Sequence, residues 1–294
     1  MMKGPTKELL KKLFYQLAVA ALNSSNKQAG RLKMIEKIAS IVPNFSDQFS
    51  TWTVDMANTY DVTKIRSIHA FQVSLALIAL EKVSNEFAKS VLSVVDIGDS
   101  SGTHVRYLEE IYSVSNMQNV EFLSVNLDSR AVEKILNKGG RAIQARAEDL
   151  HTILENKENA DLFLSFQTLE HLFDPIACLR GLASNTSTNY FVVTVPYVKR
   201  SRVGMKHLRS PHSIGRFKEI NADNTHIFEL SPEDWKLIFR FSGWKPIYEE
   251  IFYMYPAKHL LWYFRYALQR YDFEGFYGVI LQKNLKESEL YTDW

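Results

Sequence analysis

The chain has 294 residues, 46% hydrophobic and 23% charged, with 35 Lys and Arg against 33 Asp and Glu for a formal net charge of +2. That length holds one large α/β domain with an extension, or two small domains, and the near-neutral balance argues against a general nucleic-acid binder. Cys178 is the single cysteine, which excludes an intrachain disulfide and a one-chain cysteine zinc cage and fits a reducing, cytoplasmic setting.

Lys3, Lys7, Lys11 and Lys12 precede an apolar run from Leu13 to Leu22, a layout loosely like a secretory leader. Gln16 interrupts the run, and Leu9, Leu10, Leu13, Phe14, Leu17 and Ala21 fall at the spacing of one helix face. A packed amphipathic helix is expected there, with weak membrane-surface contact as the alternative. Residues 5–40 read as two helices, and residues 63–90 as a longer one carrying Ile65, Ile68, Phe71, Leu75, Leu77, Ile78 and Leu80 on its apolar side.

From Val91 short apolar runs alternate with helical stretches, the pattern of βαβ units and a parallel sheet. Residues 1–90 are therefore expected to form a helical extension or cap, and residues 91–294 an α/β domain. Strands are expected at 91–97, 120–126, 141–145, 162–166 and 190–195. A long loop, 197–230, follows. Ser231, Pro232, Glu233 and Asp234 then give an N-cap, a first-position proline and first-turn acids, opening a helix that Gly243 ends. Strands at 244–254 and 276–282 complete the domain, with a helical insertion at 257–272 between them.

Asp96-Ile97-Gly98-Asp99-Ser100-Ser101-Gly102 joins a strand ending in an acid to a helix, the layout that brings backbone N–H groups close to a cofactor. A tight strand-to-helix turn would leave the same trace. The context narrows the choice. The segment from Asp161 to Pro175, with Leu169-Glu170-His171 ahead of Asp174-Pro175, resembles the fourth-strand motif of the class I S-adenosylmethionine-dependent methyltransferases. Val193-Thr194-Val195-Pro196 is similar to that family's fifth strand, and Leu230 to Trp235 with Ser242-Gly243-Trp244 to its late helix and sixth strand. The resemblance covers residues 91–283. It implies a Rossmann-like seven-stranded methyltransferase sheet with the last strand antiparallel, and S-adenosylmethionine as cofactor.

Carried over residue by residue, the resemblance implies that Asp96 accepts from the methionine ammonium and that the loop through Gly98, Ser100 and Gly102 lies along the methionine and ribose. Ser100 stands where the family has its middle glycine. A ribose-binding acid is expected at the end of the second strand. Asn126 best matches that register, while Asp128, two residues on, can accept from both hydroxyls or can cap the helix that follows. At the adenine end Arg146 replaces the family's acceptor Asp, which leaves backbone groups of Ala147 and Glu148. His171 and His226 are the candidate bases, each with a structural role as alternative, and Gln167, Thr168 and Tyr197 are candidate pocket liners. No metal is implied.

Lys199, Arg200, Arg202, Lys206 and Arg209 belong to a basic stretch with no acid until Glu219, suited to phosphate or carboxylate on an acceptor. The Asn/Asp-Pro-Pro-aromatic motif of nucleic-acid amino methylases is missing, as is a Pro-Cys nucleophile, so nucleic acid is not expected. Overall the chain looks similar to type 11/23 methyltransferases of surface-polysaccharide and lipid pathways. That implies O-methylation of a sugar, glycan or other small anionic acceptor. A weakly catalytic cofactor-binding module and a peripheral membrane methyltransferase acting on a lipid-linked acceptor are the alternatives, and Trp52, Tyr60, Arg66 and His69 are candidate caps of the pocket or packing residues.

Overall fold

The computed structural model describes residues 5–87, 89–116, 119–154, 160–204, 225–255, 262–263 and 275–291. Three helices come first: α1 (Pro5–Gln28), α2 (Leu32–Ile41) and α3 (Thr59–Phe87). The α/β region follows as β1 (Val91–Ile97), α4 (Thr103–Asn116), β2 (Asn119–Asn126), α5 (Ser129–Asn137), β3 (Ala142–Gln144), α6 (Leu150–Leu154), β4 (Leu162–Phe166), α7 (Pro175–Asn185) and β5 (Tyr190–Tyr197). It ends with β6 (Arg202–Val203), β7 (Phe228–Glu229), α8 (Pro232–Phe241), β8 (Trp244–Tyr253) and β9 (Gly275–Lys283).

The seven-stranded sheet runs β3-β2-β1-β4-β5-β9-β8, with β9 antiparallel to both of its neighbours and the β1, β2, β3, β4 and β5 pairings parallel. The expected seven-stranded arrangement is therefore present, and the strand order reverses between β1 and β4. In open α/β sheets that is where ligands meet the carboxyl ends of strands.

Strand alternation sends Leu92, Val94, Leu162, Leu164 and Val192 into one core and Val95, Ile97, Phe163, Phe191 and Val193 into another. Phe71, Leu75 and Leu80 of α3 join the first core, while Leu179 and Leu182 of α7 and Trp235 and Phe239 of α8 join the second. A β-carbon on Gly278 of β9 would lie 2.3 Å from Leu75 and 2.5 Å from Phe71, so α3 rests directly on the strand backbone. α3 thus covers part of one face of the sheet, with Val105, Tyr107 and Leu108 of α4 in the same core. Ser231 caps α8, accepting from the Asp234 N–H at 3.4 Å.

Two expectations change. In α1, Leu9, Leu13 and Leu17 are 58%, 46% and 53% exposed, whereas Ala18, Ala21 and Leu22 are buried. The helix packs through Phe14, Ala18, Ala21 and Leu22, and Leu9, Leu13 and Leu17 face out. No described helix is long and apolar enough to cross a membrane. In the predicted loop after Pro196, β5 extends to Tyr197, and β6 pairs with β7 through Arg202↔Glu229 and Val203↔Phe228. Two-residue strands are too short to show alternation in sequence. Of the expected insertion 257–272, only Trp262 and Tyr263 lie within the described residues.

Candidate functional site

At the end of β1 the chain turns through Gly98 (φ +92°), whose N–H donates to the Val125 carbonyl at 2.8 Å. Asp99, a residue the sequence reading did not single out, staples the turn. Its carboxylate accepts the Ser101 and Gly102 N–H groups at 3.2 and 2.9 Å and the Ser124 hydroxyl at 2.8 Å. Asp96 is 1% exposed and its Oδ2 has no hydrogen-bond partner. Burial, then the neighbouring Asp99, pushes its carboxyl well above the usual range.

The Asn126 amide donates to the Asp99 carbonyl at 2.9 Å and accepts the Asp128 N–H at 2.8 Å, tying the ends of β1 and β2 together. Asp128 caps α5 through the Arg130 N–H at 2.9 Å and pairs with the Arg130 guanidinium at 2.8 Å. The Arg130 side-chain bonds hold its carboxyl down to about 2. The helix-capping alternative for Asp128 is thus what the geometry displays, and both ribose candidates already hold protein partners.

Ser100 donates to the Gln48 carbonyl, and the Gln48 side chain reaches Ser100 and Ser101 at 3.4 and 3.3 Å. Lys134 of α5 donates to the Asp47 and Phe49 carbonyls at 2.7 and 3.0 Å, and Lys138 pairs with the Asp47 carboxylate at 2.8 Å. The segment around Gln48 is thereby laced across the glycine loop, and the serine in place of a glycine is one of its anchors. Arg66 holds the start of the same segment, donating to the Ile38, Val42 and Pro43 carbonyls and the Tyr107 hydroxyl. Arg66 is therefore a packing residue, and Trp52 stacks on Phe49 at 4.4 Å between centroids. After β3, Ala147 is buried with its carbonyl accepting the Cys178 thiol at 3.3 Å, and Arg146 points to Glu148 at 3.5 Å.

After β4, Gln167 adopts φ +57°, a conformation disfavoured for a side chain with a β-carbon. Its N–H bonds the Thr194 carbonyl at 2.8 Å and its amide reaches the Thr194 hydroxyl at 3.4 Å. Gln72 of α3 also donates to that hydroxyl at 3.1 Å and meets His104 Nε2 at 2.8 Å. A polar chain thus crosses from β5 through α3 to α4. His69 and His104 stack edge to face within it, and burial drives both imidazoles below their ordinary range, His104 to about 4.

The two predicted bases come together. The rings of His171 and His226 cross at 85° with centroids 4.7 Å apart. His171 Nδ1 lies 2.9 Å from the Thr225 carbonyl and His226 Nδ1 lies 3.1 Å from Glu229, which also pairs with Arg202. Burial opposes charge on Glu229, but the bonds from His226 and Arg202 together hold its carboxyl below the ordinary value. Glu170 is fully buried beside them with neither carboxylate oxygen hydrogen-bonded, and burial, the largest influence, pushes its carboxyl up to about 7. Glu170, Glu229 and the Arg202 link were not legible as a group. Tyr197 meets Tyr253 edge-on at 5.4 Å, Lys199 and Arg200 are exposed, and Lys206 and Arg209 lie outside the described residues.

Among solved structures, the chain is similar over 97% of its length to the CurJ carbon methyltransferase, covering 72% of that chain at 12% identity with a TM-score of 0.55. It is similar over 78% of its length to 1,6-didemethyltoxoflavin-N1-methyltransferase of Burkholderia thailandensis, a structure with bound 1,6-didemethyltoxoflavin and S-adenosylhomocysteine. There it covers 83% of that chain at 12% identity with a TM-score of 0.50. No family model and no curated protein matches the sequence. At such identity the likeness is one of architecture, and this chain has the class I methyltransferase fold.

Proposed function

We propose that this chain binds S-adenosylmethionine at the carboxyl ends of β1 and β4 and transfers its methyl group to an oxygen of a small anionic acceptor, a sugar or glycan. The observation that carries the cofactor is Asp96, a buried carboxylate with an unpartnered oxygen at the point where the strand order reverses. Such a group is costly unless a ligand donor meets it, and the methionine ammonium has the required charge and hydrogens. In this reading Gly98, Ser100 and Gly102 line the methionine and ribose, Asn126 or Asp128 accepts from the ribose, Ala147 and Glu148 meet adenine, and Gln167 closes the floor. Ribose binding by Asn126 or Asp128 exchanges one of their present bonds for one to a ribose hydroxyl.

The cofactor supplies an electrophilic methyl carbon on a good leaving group, so the chain's own part is to position the acceptor and manage its proton. A carbonyl on Nδ1 of His171 and a carboxylate on Nδ1 of His226 make Nε2 the basic nitrogen of each ring. These are the proposed bases. Tyr197, Lys199, Arg200, Arg202, Lys206 and Arg209 are the proposed acceptor contacts, and a cytoplasmic setting is proposed from the single, buried cysteine. Calorimetry with S-adenosylmethionine and its demethylated product is expected to give heat for both. No heat and no thermal shift at millimolar cofactor would overturn the reading, and near-normal turnover in both His171→Ala and His226→Ala would remove the bases.

A second reading, a lipid-linked acceptor reached at a membrane surface, is favoured by the exposed Leu9, Leu13 and Leu17 on a basic helix. Sedimentation with anionic liposomes that leaves all the protein in solution would remove it.

A further inference from the structure

We infer that Glu170, His171 and His226 form a binding site for one divalent first-row transition ion, oriented from behind by Glu229 and the Thr225 carbonyl. One donor atom from each of the three residues lies within 4.8 Å of the other two. Bonds of ~2.0–2.2 Å place the donors of a tetrahedral ion ~3.4 Å apart, so small side-chain rotations complete the site.

Glu170 supplies the independent observation. It is fully buried and neither of its oxygens has a hydrogen-bond partner. A buried acid left in that state loses the hydrogen bonds that water gave it, and the fold holds it there. Its own backbone carbonyl accepts the Ile227 N–H at 2.8 Å, which fixes the turn 169–171 against the segment that carries His226. Nδ1 of His171 meets a carbonyl and Nδ1 of His226 a carboxylate, so each ring is held in place beside Glu170, whose unpartnered oxygens supply lone pairs that a cation satisfies. A carboxylate or carbonyl behind each ligating histidine is also the usual way a protein fixes the tautomer and orientation of metal-bound imidazoles.

Two nitrogens and one carboxylate suit Zn2+, Co2+ or Fe2+ over Mg2+ and Ca2+, which prefer oxygen. The site itself stands without the cofactor. Its use in catalysis rests on the methyl-transfer reading. An acceptor hydroxyl in the open position would lose its proton to water more readily, after which its O–C bond forms as the sulfonium C–S bond breaks. The ion would then replace the direct proton role of His171 and His226, because a nitrogen bound to metal takes no proton.

The test uses the full chain, stripped with chelator and titrated with Co2+ and Zn2+. One Co2+ per chain is expected, with the visible ligand-field absorption of a low-coordinate nitrogen and oxygen site, displaced by Zn2+. Glu170→Gln and His226→Ala are expected to lose this binding, and Glu229→Gln to weaken it by about 10–100-fold. Glu170→Gln keeps the side-chain shape and removes a buried charge, so metal-free thermal unfolding of that variant controls for folding. No stoichiometric uptake by folded wild type, or unchanged uptake in Glu170→Gln and His226→Ala, would overturn the site. Calorimetry with S-adenosylmethionine on the same preparations separates the two readings. Cofactor heat without metal uptake removes only the ion, and metal uptake without cofactor heat removes only the methyltransferase assignment.

Discussion

Thr168 sits where a side chain on Gly98 would have to go. A β-carbon on Gly98 would lie 2.0 Å from the Thr168 hydroxyl, which donates to the Ile97 carbonyl at 3.1 Å and so pins the β4 loop to the end of β1. The two loops that meet at the sheet's switch point are joined through this contact. Gly98→Ala combines that overlap with a left-handed backbone at φ +92°, and a loss of about 3 kcal/mol or more is expected. Adding Thr168→Ala should recover part of it, by removing the overlap but leaving the backbone strain. Urea denaturation of the single and double variants checks this, and equal midpoints for wild type and Gly98→Ala would contradict it.

Asp96 sets stability against binding. Its desolvated carboxylate opposes the cofactor-free fold at neutral pH, so Asp96→Asn is expected to raise the unfolding temperature, the change being about 1–3 kcal/mol. The same change removes a charged acceptor, and a charge-assisted bond of about 1.5–3 kcal/mol corresponds to ~10–100-fold weaker cofactor binding. Differential scanning fluorimetry and calorimetry read the two effects separately. A variant that loses stability and keeps affinity would show that the carboxylate serves the fold alone.

The sheet was legible because β4, β5 and β9 are nearly continuous buried apolar runs and the turns between strands carry glycine, proline or capping acids. Asp96, Gly98 and Gly102 followed from the same local chemistry. Asp99 and Gln48 did not, since an Asp in a loop and a Gln 52 positions before Ser100 carry no periodic signal, and their roles exist only through contacts made across the chain. The face of α1 carrying Leu9, Leu13, Phe14, Leu17 and Ala21 was read as buried, and Phe14 and Ala21 pack while the three leucines do not, because spacing shows which residues share a face and is silent on how far round the core reaches. The isolation of Glu170 likewise depends on what its neighbours do with their own hydrogen bonds.

Ser100 and Gln48 act as one unit. Their bonds close the segment around Asp47 and Phe49 over the glycine loop, so Gln48→Ala and Ser100→Gly should each lose about 1 kcal/mol and the double variant less than the sum. Faster amide exchange in residues 45–54, with β1 and β4 unchanged, is the expected signature. Additive losses or unaltered exchange would mean that Lys134 and Lys138 hold the segment by themselves.

His104 gives stability a definite pH dependence. Buried beside His69 and facing Gln72, Asp99 and Asp96, it stays neutral in the fold down to about 4, against an ordinary value near 6.5 in the unfolded chain. Burial is the main cause, and Asp99 acts against it. Between those values the unfolded chain binds more protons than the folded one, so stability falls as pH drops from about 6.5 to about 4 and is complete above that window. One group shifted this far accounts for about 3 kcal/mol at most. Asp96 works in the opposite sense, because its raised carboxyl favours the fold below its unfolded value and loses that contribution as pH rises. Comparing wild type with His104→Gln, which keeps a donor toward Gln72, isolates the histidine. The stability difference between the two proteins should shift in favour of wild type as pH rises from 4 to 6.5 and then level off. A difference independent of pH across that range would mean that His104 is protonated in the folded protein and that the polar chain through Gln72 and Thr194 carries a charge.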